Sequence, residues 1–348
     1  MKSNSKTKIF VNIGLLVIFI GILIYVMDNS LSDIFAQLME TSWLVVALVI
    51  LLGVVYQIVE GRSIKEIASY FQKDFTTKDG FFTSCYVAFY RVISFGTGTL
   101  LSEIYFYKKK GLAISQGVGV TALHMIMYKV AVIFLSVLGL IVQFSLFYEH
   151  APKMIPFILA GVILTFAIIF SLLVLSSSLN LQVFLIKWTN KYFKRQKLRD
   201  WVDKCNLQIY SLRETVLTIT KDRSAAIRIF GWNVTKLLFW YVIPYVVLVQ
   251  EHPKIDFLLV LSFTSFAVIL SGVFPTPAGI GPFEFVYLLL FKPLVGTVDA
   301  VSSLLLYRFA SFVLPFLIGF VFVLVQKRRE IKSDLDAVKK EKEQAVEE

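Results

Sequence analysis

Phe257 to Lys292 reads FLLVLSFTSFAVILSGVFPTPAGIGPFEFVYLLLFK, two apolar runs with a proline–glycine cluster between them. Pro275, Pro277 and Pro282 cannot all sit inside one helix, because each lacks an N–H and clashes with the preceding turn. Gly279 and Gly281 tolerate φ > 0 and let another group approach the backbone. The spacing predicts helix, unwound loop, helix, the second helix starting near Pro282, where proline suits the first turn. Irregular backbone between runs this apolar is tolerated at membrane depth only where protein or a water-filled cavity surrounds it.

The rest of the chain agrees with a membrane setting. Its 348 residues are 57% hydrophobic, 15% aromatic and 17% charged, with mean hydropathy +0.74. A soluble domain is about 45–50% apolar and about 25% charged. Apolar runs of about 20 residues, the length that crosses a bilayer, recur at Ile9–Met27, Trp43–Val59, 116–146, 154–180, 226–250 and 298–326. The first lacks the short core and cleavage site of a secretory signal and reads as a retained span. Residues 62–80 read as an interfacial helix. Soluble enzymes, nucleic-acid binders, disulfide scaffolds and disordered chains are excluded as the main reading.

A second break lies at 94–99, SFGTGT, with Arg91 before it and Glu103 after it. Net charge is +11. If 81–107 and 257–292 both enter and leave on one face, the Lys and Arg residues sort to the N-terminus, 108–110, 181–228 and 327–329, and the opposite loops are acidic. That is the positive-inside distribution. The expected fold is all-α and polytopic: about six full transmembrane helices plus two re-entrant broken-helix hairpins, one from each face. Gly96-x-Gly98 before Glu103 echoes Gly279-x-Gly281 before Glu284, as an inverted repeat would. Both termini are expected in the cytoplasm of a cell-membrane protein. Residues 1–326 form one transmembrane domain containing a basic amphipathic cytoplasmic segment at 181–225, and 327–348 form a charged cytoplasmic helical tail. The basic faces suit anionic phospholipid at the cytoplasmic surface and no nucleic acid. A second copy or a lipid-synthesis enzyme is the expected protein partner.

Scarce residues narrow the chemistry. Cys85 and Cys205 lie far apart, and His124, His150 and His252 form no metal pattern, so no metal or cofactor is expected. No phosphate-binding GxxxxGK[ST] loop or GxSxG elbow is present, and no catalytic residue is assigned. Charges at membrane depth cost roughly 2.5–3.5 kcal/mol each on insertion scales and tend to be functional or paired. Arg308, about 15 Å into its span by helix rise, calls for a partner, with Glu284 the first choice. Glu284 either caps the new helix dipole or pairs with a buried cation or a headgroup. Arg91 and Glu103 either pair across a hairpin or touch substrate, and Lys129 lies deep beside His124 and Tyr128. Lys236, between Trp232 and Trp240 at i±4, reads as a snorkelling residue near the interface. Glu60 reads as interfacial.

PTPAGIGPFE resembles the proline–glycine signature of the lysylphosphatidylglycerol synthase transmembrane-region family, the flippase-like membrane part of multiple peptide resistance proteins. The similarity continues through the first hairpin, the KKKG that follows it and the long span after that, covering about residues 8–326. Ala278 stands where a glycine is common, and the first hairpin has no proline. The resemblance implies lipid translocation between leaflets for a phospholipid, aminoacyl-phospholipid or glycolipid headgroup. Larger members carry a separate aminoacyl-tRNA-dependent transferase domain. The stretch after the last span is too short for one, so lysyl transfer is not expected. Substrate contacts are then expected from Arg91, Glu103, Lys129, Gly279, Gly281, Glu284 and Arg308, with Gly96, Gly98, Pro275, Pro277 and Pro282 making the breaks. Two further readings stay open: a lipid-modifying membrane enzyme using Glu103, Glu284 and His124 as acid–base groups, or an accessory subunit of lipid or glycolipid synthesis.

Overall fold

The computed structural model describes residues 39–94, 96, 98–150, 152–177, 183, 184, 187, 207, 209–219, 221–272 and 282–347. Among these there is no strand. The helices are α1 (Trp43–Ala68), α2 (Thr77–Ile93), α3 (Thr99–Lys109), α4 (Ile114–Val142), α5 (Phe144–His150) and α6 (Ile155–Ser177). They continue with α7 (Arg223–Leu248), α8 (Phe257–Ser271), α9 (Pro282–Val295), α10 (Thr297–Arg308) and α11 (Leu314–Glu347). A π-helical turn, Phe309–Val313, joins α10 to α11.

Four of these segments are long and apolar enough to cross a bilayer: α1, α4, α6 and the run from α10 into α11. Helix α7 has 26 residues, about 39 Å by helix rise, with polar groups along its length. The expected span at 9–27, most of 181–225, and Pro275, Pro277, Gly279 and Gly281 lie outside the described residues.

Helices α2, α3, α8 and α9, with 17, 11, 15 and 14 residues, fall short of the roughly 20 a crossing needs. They come in adjacent packed pairs, α2 with α3 and α8 with α9, one pair around each expected break. At the first, Gly96 has φ +86°, a conformation that favours glycine. Its N–H donates to the Arg91 carbonyl at 2.8 Å, and the Thr99 hydroxyl donates to its carbonyl at 2.8 Å. Gly98 has φ −88°, so it is not a conformational hinge; a Cβ there would meet Ser94 at 2.9 Å. At the second break, Gly272 follows α8 and Pro282 opens α9.

Residues 62–80 are not one interfacial helix. Helix α1 runs unbroken to Ala68, because Glu60, Ser63 and Glu66 turn inward against the bundle. The next helix starts at Thr77 behind a capping box: Thr76 N–H donates to the Asp79 carboxylate at 2.9 Å, and Asp79 N–H donates to the Thr76 hydroxyl at 3.2 Å. Asp222 caps α7, accepting from Ser224 N–H at 3.0 Å and Ala225 N–H at 3.2 Å. The Ser224 hydroxyl, the Tyr70 hydroxyl from beyond α1 and the Ala225 N–H hold its carboxyl down at about 2.

Helix α7 sits centrally, packed on α1, α4, α8 and α10, while α2 wedges between α1 and α11. Two seams are close enough to require glycine. A Cβ at Gly61 would lie 2.8 Å from the Phe81 Cα, and one at Gly80 would run into the Gly61 carbonyl. A Cβ at Gly319 would likewise collide with the Cys85 carbonyl. Backbone-to-backbone contact of this kind is how small residues hold membrane helices together. Gly80→Val should therefore lower thermal stability in detergent by about 1–3 kcal/mol, the usual range for overpacking. Gly231→Ala, with nothing within 4 Å of the added methyl, should be neutral or stabilising by up to about 1 kcal/mol. Equal melting temperatures for wild type and Gly80→Val would show that the seam opens freely.

Candidate functional site

Two cavities share a wall inside the bundle. The larger, about 520 Å³, lies between the two hairpins. The first break contributes Arg91, Gly96 and Thr99, α4 contributes Tyr128 and Lys129, and the flanks of the second break contribute Ser271, Gly272, Pro282 and Phe283. Tyr307, Arg308 and Ser311 complete it at the π-helical turn. Single π-helical turns occur frequently at functional sites, and this one starts directly after Arg308. The smaller cavity, about 280 Å³, is lined by Glu60, Glu103, His124 and Lys236 and shares Arg91, Thr99, Tyr128, Lys129 and Trp240 with its neighbour.

The larger cavity is cationic. Arg308 pairs with Glu284, and its guanidinium lies 4.6 Å from the Phe283 ring centroid. Glu284 is also the acidic residue of the first turn of α9, so the capping and pairing readings describe one position. Among the described residues, neither Arg91 nor Lys129 takes part in an ion pair. Lys129 Nζ occupies the space a side chain at Gly272 would need, which brings α4 against the end of α8. Arg91 does not pair with Glu103, which instead accepts a hydrogen bond from the Tyr107 hydroxyl at 3.0 Å.

Below the shared wall sits an ionic cluster that local sequence reading missed. Lys236 is 1% exposed and pairs with Glu60, and its ammonium lies 4.9 Å from the Tyr128 ring centroid. His124 Nε2 is 3.4 Å from the Glu60 carboxylate and 3.5 Å from Lys236 Nζ. Lys236 is thus no snorkelling residue. It stands midway along α7, where a lysine cannot reach the interface. Glu60 is not interfacial either, since α1 continues for two turns beyond it. Trp232 faces Arg62, 5.7 Å from its ring centroid to the guanidinium carbon, rather than Lys236. The signal available in the sequence was depth: Lys236 lies ten residues or more from either end of its apolar run at 226–250.

Among the described residues no group of three His, Cys, Asp or Glu side chains is placed to hold a metal ion. The site can offer cationic anchors for an anion, with a buried carboxylate–imidazole–ammonium cluster beside them.

The profile of the family described as the lysylphosphatidylglycerol synthase TM region matches residues 11–319. The chain belongs to that family. Both hairpins, both cavities and the Arg308 turn fall inside the matched range. Membership in the lysylphosphatidylglycerol synthase TM region family, together with the apolar helices, makes this a multi-pass membrane protein with a lipid-related role. A comparison with curated proteins finds no match.

The Glu284–Arg308 pair gives a direct test of coupling. Glu284→Gln and Arg308→Gln should each weaken stability and lipid handling, and the double variant should be no worse than the worse single. A double-mutant cycle should return about 0.5–3 kcal/mol, as for residues in contact. Losses that simply add would mean the two act independently.

Proposed function

We propose that this protein moves phospholipid headgroups between the leaflets of the cell membrane. One observation carries the reading: Arg91, Lys129 and Arg308, from α2, α4 and α10, converge on one cavity between two broken hairpins. A headgroup leaving water needs fixed counter-charges at depth, because a charge in hydrocarbon is expensive. It also needs irregular backbone lined by a cavity, as broken transporter helices provide. In this reading α2–α3 and α8–α9 are re-entrant, entering from opposite faces. Six full spans surround them, and both termini and the basic 181–225 segment face the cytoplasm. An aminoacyl-phospholipid or glycolipid fits the same path only if it presents an anion to these cations.

The test is leaflet exchange in vesicles of phosphatidylglycerol and phosphatidylethanolamine carrying a trace of fluorescent phosphatidylglycerol. Dithionite quenching should report faster exchange in proteoliposomes than in protein-free vesicles. Equal rates would refute the reading. Orientation is tested by a cysteine at position 109 on a cysteine-free background, which should be protected from an impermeant maleimide in intact cells. Labelling from outside would invert the topology.

A further inference from the structure

The smaller cavity holds titratable groups that lipid binding alone does not require. Glu60, His124 and Lys236 come from three separate helices, α1, α4 and α7. One oxygen, Glu60 Oε2, faces both basic groups, and His124 Nε2 lies 3.4 Å from it and 3.5 Å from Lys236 Nζ. Nε2 therefore meets an acceptor and a donor at the same time. As neutral imidazole with its proton on Nδ1, it accepts from the Lys236 ammonium. As imidazolium, its Nε2–H donates to the Glu60 carboxylate. One arrangement satisfies both charge states, which a proton-carrying site needs and a static ion pair does not.

We propose that Glu60, His124 and Lys236 form a proton-binding site that takes up one proton when an anionic phosphodiester headgroup enters the adjoining cavity. This rests on reading that cavity as the headgroup site. The groups facing His124 set the sign. Helix α1 presents Glu60 and Tyr56, α2 presents Arg91, and α3 presents Glu103 with Tyr107 bonded to it. Helix α7 presents Lys236, and α4 itself carries Tyr128 and Lys129. With neutral His124, the lining of the smaller cavity sets two carboxylates, Glu60 and Glu103, against three cations, Lys236, Arg91 and Lys129; charging His124 adds a fourth beside Glu60. Arg91 and Lys129 on the shared wall oppose that added positive charge. A phosphate held between them removes the opposition, so anion and proton each favour the other, and linkage makes the effect reciprocal. The proton comes from water and adds to Nε2, with nothing oxidised or reduced.

The chain has three histidines, so the histidine 15N spectrum in micelles can be assigned by replacing each in turn. The 15N shifts of the two ring nitrogens separate the imidazole from the imidazolium form of His124 at each pH tested. At fixed pH, adding dihexanoyl phosphatidylglycerol should raise the imidazolium fraction. A pH dye in weakly buffered solution should record uptake of about one proton per protein. Dihexanoylglycerol, which lacks the phosphate, should do neither. Arg91→Gln with Lys129→Gln should lose the lipid-driven uptake while keeping both charge forms of His124. A single charge form throughout, an unchanged ratio on adding phosphatidylglycerol, or full uptake by His124→Gln would each overturn the proposal. Uptake without any leaflet exchange would refute transport and keep the proton site.

Discussion

Replacing Arg91 and Lys129 together with glutamine should stop exchange of anionic phospholipid while leaving the fold at least as stable as wild type. Both cations line the larger cavity, and among the described residues neither takes part in an ion pair. Their charge is thus available to a ligand, and removing it deprives no carboxylate among the described residues of its partner. A hydrogen bond to a charged group contributes about 1.5–3 kcal/mol, so each single variant should lose roughly ten- to a hundredfold in exchange rate. Detergent melting temperatures should rise or stay level, because charges at membrane depth are costly and these two have no ion-pair partner among the described residues. Arg91→Lys and Lys129→Arg should keep much of the rate. A double variant that exchanges lipid normally would remove the cavity from the substrate path. One that melts far below wild type would mean the cations hold the hairpins together.

Much of this arrangement was legible because it is written in local punctuation and depth. The first break follows from the SFGTGT run, and Gly96 uses the left-handed conformation that only glycine takes readily. Pro282 opens α9 as its missing N–H predicts. Arg308 demanded a partner by depth, and Glu284 supplies it. What stayed hidden is long-range. Lys236 and Glu60 are 176 positions apart, so no spacing within either helix announces the pair. The tryptophans around Lys236 suggested an interfacial belt, yet Trp240 packs inward against Tyr56 at 4.7 Å and Tyr307 at 5.6 Å. Polar residues from 62 onward imitate an interfacial helix when read along the chain; Ser63 and Glu66 are instead the inward face of a helix that runs unbroken to Ala68. The π-helical turn after Arg308 has no signal in FASFV, since it contains no glycine or proline.

Breaking the buried pair should produce the largest loss of stability. Lys236→Met removes the ammonium and leaves Glu60 with His124 as its remaining basic neighbour. Glu60→Gln strands the Lys236 ammonium between His124 and the Tyr128 ring. Removing one partner of a buried ion pair costs about 3–5 kcal/mol, because the surviving charge keeps its desolvation penalty and loses its compensation. Each single variant should therefore melt far below wild type in detergent, and Lys236→Arg, which keeps the charge, should melt between. The double variant Glu60→Gln with Lys236→Met leaves no stranded charge from this pair. Replacing both partners by neutral groups of similar volume is often nearly neutral or stabilising, so its stability should return to within about 1 kcal/mol of wild type. Singles as stable as wild type would mean water reaches the cluster and solvates the orphaned charge. A double as unstable as the singles would assign the effect to lost packing around α7 rather than to charge. Recovered stability with lost proton uptake would separate the two roles: the pair is dispensable for holding α1, α4 and α7 together and required for the site they enclose.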